Sequence, residues 1–288
     1  IKNVQHLAKK NGRNAIVFQA RTVGRSCVAA KKVVPVLTEV LRSGYYPDDS
    51  NRRIINEEYH QYIFIQEDRF KLISGVARMN KRKSHFNGDN FLISRLECGK
   101  AIAAIADGMG SGKRAYIESR MVIELMENCI DAGFDEKASI DLINSAYIAG
   151  GGTGNPVTMD MSVIDCQSGY MHCMKLGAVS TFIRRDKWVE IIQSTTLPMG
   201  VLEQVDYDCT TKKLYDGDYI VMVSDGVLDN IPCVNKEERM AQMIHALTIR
   251  EPSAMAEKLL EQSLAYNDMK ASDDCTVLVL GLFDTYEK

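Results

Sequence analysis

Apolar and polar positions alternate with two different periodicities along the chain, and these predict a mixture of helices and strands. Apolar residues at helical spacing predict helices over 115–130, 140–148, 236–247 and 253–265. Shorter apolar and β-branched segments predict strands over 15–20, 70–79, 90–96, 101–106, 159–164, 170–176, 179–184, 188–192, 206–214, 219–223 and 276–282. The segment 101–106 is almost wholly apolar, so we expect that strand to be buried on both faces.

The links between the middle strands are too short for parallel crossovers, which predicts antiparallel hairpins with helices grouped outside the sheets. The first part of the chain has a different pattern. Residues 1–13 are polar and predicted to be frayed, and a helical pattern over 29–41 has Pro35 near its first turn. The pattern therefore predicts an α+β protein with a small N-terminal α/β segment, 1–66, and a main domain, 67–288.

Composition excludes several classes of protein. Of the 288 residues, 45% are hydrophobic and 25% are charged, which is typical of a globular chain. The net charge of −3 gives no support to nucleic-acid binding, and no uncharged apolar run is long enough to span a membrane. The chain begins at Ile1 without a signal-like segment, and its eight cysteines form no Cys-x-x-Cys pair. We therefore expect a cytoplasmic part of a longer protein with reduced thiols.

Four aspartates lie beside predicted strand ends, and glycines adjoin three of them. They are Asp89 after Gly88, Asp107 before Gly108, Asp225 before Gly226, and Asp273 before the last strand. Clustered carboxylates repel one another unless a cation lies between them, and oxygen ligands favour Mg²⁺ or Mn²⁺. Each Asp-Gly pair taken alone is more often a turn than a ligand, and spacing alone does not bring the four together.

The motifs around these aspartates resemble those of the metal-dependent protein phosphatase (type 2C) family, and more narrowly its bacterial stage II sporulation protein E branch. The resemblance covers about residues 70–284, and 1–66 is similar, more weakly, to the end of the regulatory region in that branch. The motifs are Gly88-Asp89, Asp107-Gly108-Met109-Gly110-Ser111-Gly112, Lys175-Leu176-Gly177-Ala178, Leu197-Pro198-Met199-Gly200, Gly217-Asp218-Tyr219, Ser224-Asp225-Gly226 and Asp273-Asp274-Cys275-Thr276.

This resemblance implies a sandwich of two antiparallel sheets flanked by helices, with two Mn²⁺ or Mg²⁺ ions at one edge. By motif, Asp107 bridges both ions, Asp225 and Asp273 complete one site, and Asp89 and the Gly108 carbonyl contribute to the other. Asp107 and Asp225 are thus the expected catalytic residues. The implied reaction is hydrolysis of phosphoserine or phosphothreonine, on an anti-anti-sigma-factor-like protein. A homodimer and an upstream membrane region of the intact protein are left open.

The sequence departs from the wider family where many members have a histidine that is suggested as the general acid. Met109 occupies that position here, as in the sporulation branch, and a methionine cannot donate a proton. Asn87 stands where the branch usually has serine. Asp274 remains an alternative ligand to Asp273 if the register differs by one residue.

Other motifs suggest weaker alternatives. Gly110 to Ala115 fits the glycine pattern of a dinucleotide-binding turn, although no acidic strand end follows at the expected distance. Cys233 and Arg239 have the spacing of a cysteine phosphatase, but the loop between them has no glycine.

We interpret the helical stripe Ile117, Met121, Leu125 and Cys129 as core packing, 150–156 as a flexible loop, and 81–83 as a solvated basic turn or an aid to binding an acidic phosphoprotein. A catalytically weak binding module of the same fold and an oxidoreductase are the functional alternatives.

Overall fold

The computed structural model describes residues 1–8, 13–81, 85–96, 98–110, 112–149, 155–186 and 188–285. Most of the glycine-rich segment 150–156, two of the three residues of the basic turn 81–83, and Ser111 therefore lie outside the described residues. No helix in these ranges is long and apolar enough to cross a membrane.

The leading part of the chain forms a small sheet in the strand order β1-β2-β6-β4. A short helix packs on this sheet, and Phe18 stacks on Phe64 in the core between them, with ring centroids 5.5 Å apart. The elements are β1 (Lys2–Ala8), β2 (Asn14–Ala20), β3 (Val28–Ala29), a 3-10 turn (Ala30–Val33), α1 (Val34–Leu41), β4 (Tyr45–Pro47), β5 (Ile54–Ile55) and β6 (His60–Gln66). Pro35 lies in the first turn of α1, as predicted.

Two five-stranded antiparallel sheets follow, in the orders β14-β11-β10-β9-β8 and β13-β12-β15-β16-β7. The strands are β7 (Phe70–Met79), β8 (Asp89–Arg95), β9 (Lys100–Gly108), β10 (Val157–Asp165), β11 (Tyr170–Leu176), β12 (Thr181–Arg184), β13 (Val189–Ile192), β14 (Asp208–Lys213), β15 (Tyr219–Val223) and β16 (Cys275–Asp284). The helices are α2 (Lys113–Asp131), α3 (Glu136–Ala149), α4 (Asp225–Asp229), α5 (Lys236–Ala246) and α6 (Pro252–Ala265).

The two sheets face each other and are covered by helices on their outer faces. In β9, Ala103 and Ile105 pack between the sheets, whereas Ile102 and Ala104 pack outward with residues of α2 and α3. This alternation explains why β9 is apolar on both faces. On the other sheet, α4, α5 and α6 cover the outer face. The four layers confirm the predicted α+β sandwich of two antiparallel sheets flanked by helices.

Two predictions from the pattern are wrong. The segment Lys2–Ala8 is a strand paired with β2 rather than a frayed end. In α2, Ile117 and Met121 are 51% and 38% exposed, so only Leu125 and Cys129 of the predicted stripe pack against the core. The face that packs inward is formed instead by Ala115, Glu118, Ser119, Val122, Ile123, Met126 and Ile130. Because this face includes the polar residues Glu118 and Ser119, the sequence pattern made it look solvent-exposed.

An ionic cluster lies where the leading sheet meets the sandwich. The Asp68 carboxylate is 2.9 Å from Nη2 of Arg13 and 2.6 Å from Nη2 of Arg95. Arg13 belongs to the leading segment and Arg95 ends β8, so the cluster connects the two parts of the chain. The division of the chain at about residue 66 remains a prediction.

Candidate metal centre

The four aspartates come from two pairs of neighbouring strands, one pair in each sheet. Asp89 begins β8 and lies directly opposite Asp107, near the end of β9. In the other sheet, Asp225 follows the end of β15, and Asp273 precedes the start of the adjacent antiparallel strand β16. The structure thus brings to one end of the sandwich the residues that the sequence could not show to converge.

Asp89 is the most deeply buried of these aspartates, with 1% of its surface exposed. Neither of its carboxylate oxygens forms a hydrogen bond of ordinary geometry. Burial raises the pKa of Asp89 to about 6, and the nearby hydroxyl groups of Thr276 and Ser224 partly offset this effect. A buried carboxylate with so few partners is typical of a cation ligand.

The negative charge of the Asp107 carboxylate is strongly disfavoured in the metal-free protein. Burial is the main cause that raises its pKa to about 9, and the charges of Asp89, Asp225, Asp273 and Asp274 raise it further. Burial also raises the pKa of Asp225. Divalent cations would relieve both the burial and the mutual repulsion, and a donor set made of oxygen atoms suits Mg²⁺ or Mn²⁺. The residues therefore fit such ions, although no three acidic, histidine or cysteine side chains of the described ranges are already arranged as a metal site.

Hydrogen bonding distinguishes Asp273 from Asp274. Both oxygens of the buried Asp274 accept backbone N–H groups, from Gly88 at 2.6 Å and from Lys81 at 2.6 Å. The Asp273 side chain is 45% exposed, and its Oδ1 lies 3.4 Å from Nζ of Lys81. Asp273 is therefore the better candidate ligand, and Asp274 fixes the loops on either side of it.

Two glycines beside the aspartates are required by close packing of the backbone. A Cβ on Gly108 would overlap the carbonyl group of Ala115 in the first turn of α2. A Cβ on Gly226 would likewise overlap the carbonyl oxygen of Asp274. These glycines therefore let a helix pack closely against the strand ends that carry the aspartates.

A cavity of about 80 Å³ lies beside the aspartates. Both Asp107 and Asp225 line it, so the two expected catalytic residues face the same space. Its other lining residues include Thr158, Asp160 and Ser224, together with the loop 177–179. The lining thus combines the two carboxylates with apolar strand residues such as Ile105 and Val223.

The structure adds residues to the site that sequence reasoning did not select. The guanidinium group of Arg78 donates a hydrogen bond to the backbone carbonyl of Asp89. Ser119 on α2 donates to the carbonyl of Gly88 at 2.5 Å. Arg78 and Ser119 carry no local sequence signal, because the contacts depend on packing between elements distant in the chain.

Among the described residues, the competing motifs do not form sites. Gly112 precedes α2, and Ala115 in the first turn of α2 packs against Gly108 at the end of β9. Arg239 donates to the hydroxyl group of Tyr266, at 2.9 Å from Nη2, and the Cys233 thiol contacts the carbonyl of Asn235. Neither arrangement is a phosphate-binding loop.

The raised pKa of Asp107 predicts how pH affects the metal-free protein. A carboxyl group whose pKa is higher in the folded state than in the unfolded state makes the protein less stable as pH rises. For Asp107 this loss of stability extends from its ordinary pKa, 3.8, to its folded pKa of about 9. We therefore expect Asp107→Asn to raise the melting temperature of the metal-free chain more at pH 8 than at pH 5. Each kcal/mol should correspond to about 2–4 °C. Thermal unfolding in a chelating buffer checks this, with the exposed Asp206→Asn as control; equal effects at both pH values would contradict it.

Comparisons with known proteins show what this chain is similar to. The family model for stage II sporulation protein E (SpoIIE) matches residues 98–283. Stage II sporulation protein E of Bacillus subtilis (strain 168) is 29% identical over 253 residues, which are 88% of this chain and 31% of that protein. The chain thus spans about a third of the length of this relative.

Solved structures show the same fold. The PP2C phosphatase domain of SpoIIE from Bacillus subtilis, with a fragment of its regulatory domain, superposes with a TM-score of 0.79 at 27% identity. That match covers 99% of this chain and 84% of the other. RsbX in complex with magnesium superposes with a TM-score of 0.58 at 20% identity, over 75% of this chain and 97% of the other, which is a likeness of fold.

Proposed function

Because the chain belongs to the stage II sporulation protein E family, we propose that it is a metal-dependent protein serine/threonine phosphatase. The observation that carries the proposal is the convergence of Asp89 and Asp107 from one sheet with Asp225 and Asp273 from the other. A site of this kind needs rigid strands to hold groups that repel one another, and the sandwich provides them.

We assign two Mn²⁺ or Mg²⁺ ions to this site. Asp107 would bridge them, Asp225 and Asp273 would complete one site, and Asp89 with the Gly108 carbonyl would contribute to the other. When bound, such ions lower the pKa of a coordinated water and neutralise charge on the phosphoryl group. The magnesium complex of RsbX, a protein of the same fold, supports the choice of metal.

The chemistry assigned to the site is direct hydrolysis. A water oxygen forms a bond to phosphorus, and the bond from phosphorus to the serine oxygen breaks in line with it. The products are inorganic phosphate and the free hydroxyl side chain, and no covalent phosphoenzyme forms. Asp107 and Asp225 line the cavity beside the proposed reaction, and their carboxylates would hold the cations that orient the phosphoryl group.

The leaving serine oxygen needs a proton. Met109 cannot supply one. The hydroxyl groups of Thr158 and Ser224 line the cavity, but unassisted hydroxyls are poor acids at neutral pH. We therefore assign this proton to water.

The proposed substrate is a phosphorylated protein similar to an anti-anti-sigma factor, in the cytoplasm of a spore-forming bacterium. This assignment rests on the family. An exposed loop carrying phosphoserine would suit a site at the end of a sandwich, where strand ends of both sheets meet. A homodimer and attachment to a membrane through another part of the intact protein are compatible with this role.

The experiment is release of phosphate from a phosphoserine protein of that class, followed with and without Mn²⁺. We expect turnover that stops with chelator and returns with Mn²⁺. Mn²⁺ binding without turnover on any phosphoserine protein would favour the alternative, a regulatory binding module of the same fold. A melting temperature of the chain that rises on addition of NAD(P) would instead support the alternative function of an oxidoreductase.

A further inference from the structure

Arg78 and Lys81 are cationic side chains that contact the acidic cluster, and they differ in what they can reach. The Arg78 guanidinium bonds to the backbone of Asp89 and lies over the ring of Phe91, 5.4 Å from its centroid. Both contacts of the Arg78 side chain are therefore with residues of β8, close to its first residue. Lys81 has a different arrangement, with an anchored backbone and a side chain that is 40% exposed.

The Lys81 backbone is fixed at the site. Its N–H donates to Oδ1 of Asp274 at 2.6 Å, and the other oxygen of Asp274 accepts from Gly88, next to the ligand Asp89. The Lys81 ammonium group lies 3.4 Å from Oδ1 of Asp273, the candidate ligand in the other sheet. The anchored backbone of Lys81 thus places its ammonium group beside the carboxylates, on a side chain that also reaches solvent.

A phosphate dianion must approach a centre surrounded by carboxylates. A lysine is well suited to meet it, because its ammonium is a compact charge with three donors on a flexible stem. A cation bound by Asp273 would compete with the ammonium for the same carboxylate. The Lys81 side chain would then be released within reach of a phosphate at the same edge.

We propose that Lys81 is a phosphate-binding residue of this site: its ammonium pairs with Asp273 in the metal-free protein and with the phosphoryl oxygens of the substrate in the metal-loaded protein. The inference rests on the proposed function for its substrate, a phosphoserine protein. It also interprets the basic turn of the sequence, of which Lys81 is the described residue, as part of the site rather than as a solvated turn.

Calorimetric titration of inorganic phosphate into the Mn²⁺-loaded chain tests the proposal without requiring turnover. We expect Lys81→Met to weaken phosphate binding about 10- to 100-fold, the loss expected for one charge-assisted hydrogen bond. Lys81→Arg should retain most of the affinity. Lys71→Met is the matched control, because Lys71 is an exposed lysine at the other end of β7. Unchanged phosphate affinity in Lys81→Met would overturn the proposal.

A second titration, with Mn²⁺ alone, separates this role from a structural one. Lys81→Met should bind Mn²⁺ at least as tightly as the unmodified chain, because the competing ammonium at Asp273 is gone. A lysine that merely positions Asp273 would give weaker Mn²⁺ binding and unchanged phosphate binding, which would overturn the proposal. If phosphate binding depends on Lys81 but no phosphoserine protein is hydrolysed, the proposed function fails and the phosphate site stands.

Discussion

Asp107→Asn should abolish phosphatase activity, lowering kcat/KM by roughly 10³-fold or more. Asp107 is assigned to both ions, and the metal centre is expected to supply several kcal/mol of transition-state stabilisation. The substitution removes the anionic ligand while keeping nearly the same shape. It should also remove most Mn²⁺ binding, as measured by calorimetry.

The structure provides a control for this substitution. Asp206→Asn changes the same functional group at an exposed position outside the proposed ligand set and should leave kcat/KM and Mn²⁺ affinity unchanged. Asp107→Asn should fold normally, since the metal-free protein gains stability when this charge is removed. More than about a tenth of the original activity in folded Asp107→Asn would contradict the assignment.

Lys175→Met should lower the free energy of unfolding by about 3–5 kcal/mol, because it leaves the buried charge of Asp160 without its partner. The two residues are 1% and 2% exposed, and Lys175 Nζ lies 2.6 Å from Asp160 Oδ2. The same ammonium donates to the Val179 carbonyl at 2.6 Å and to Thr181 Oγ1 at 2.8 Å. All three of its donors are therefore used.

Urea unfolding of the single and double variants checks this prediction. The double variant Lys175→Met with Asp160→Asn removes both charges, so it should be more stable than Lys175→Met alone. Activity should fall as well, because the Val179 carbonyl belongs to the loop that lines the cavity beside Asp107. A loss below about 1 kcal/mol in Lys175→Met would contradict this prediction.

Elements of the sandwich could be predicted from the sequence because their patterns are strong. The strand β7 (Phe70–Met79) and the strands β11 and β15 have the predicted bounds. The leading sheet was harder to predict. The strand β1 is mostly exposed on both faces, so its pairing with β2 leaves no alternation to detect. The strand β6 (His60–Gln66), which pairs with β2 and β4, was not predicted either.

The site could be predicted in part. Its four aspartates were found through their position at strand ends and through the family motifs. The contacts that hold them were not, because Asp274 meets Gly88 across 186 residues of chain and Ser119 meets Gly88 across 31. Such pairings arise from the topology, in which the ends of two sheets meet. The choice between Asp273 and Asp274 likewise depended on which carboxylate is already satisfied by backbone N–H groups.

The interpretation of α2 shows a limit of periodicity. Ile117 and Met121 of the apparent stripe are exposed, whereas the buried face contains Glu118 and Ser119. Ser119 is buried because its hydroxyl group supports the Gly88 carbonyl beside Asp89. A buried polar residue that contacts the site therefore made the core-facing side of the helix hard to recognise in the sequence.

The most direct test of the account is a Mn²⁺ titration of the chain in which bound metal and phosphate release from a phosphoserine protein are measured on the same samples. We predict two ions bound per chain, with turnover appearing only as they bind and disappearing on chelation. Full turnover in the presence of chelator, or an absence of Mn²⁺ binding by the folded chain, would contradict the claim that the four aspartates form a catalytic metal centre.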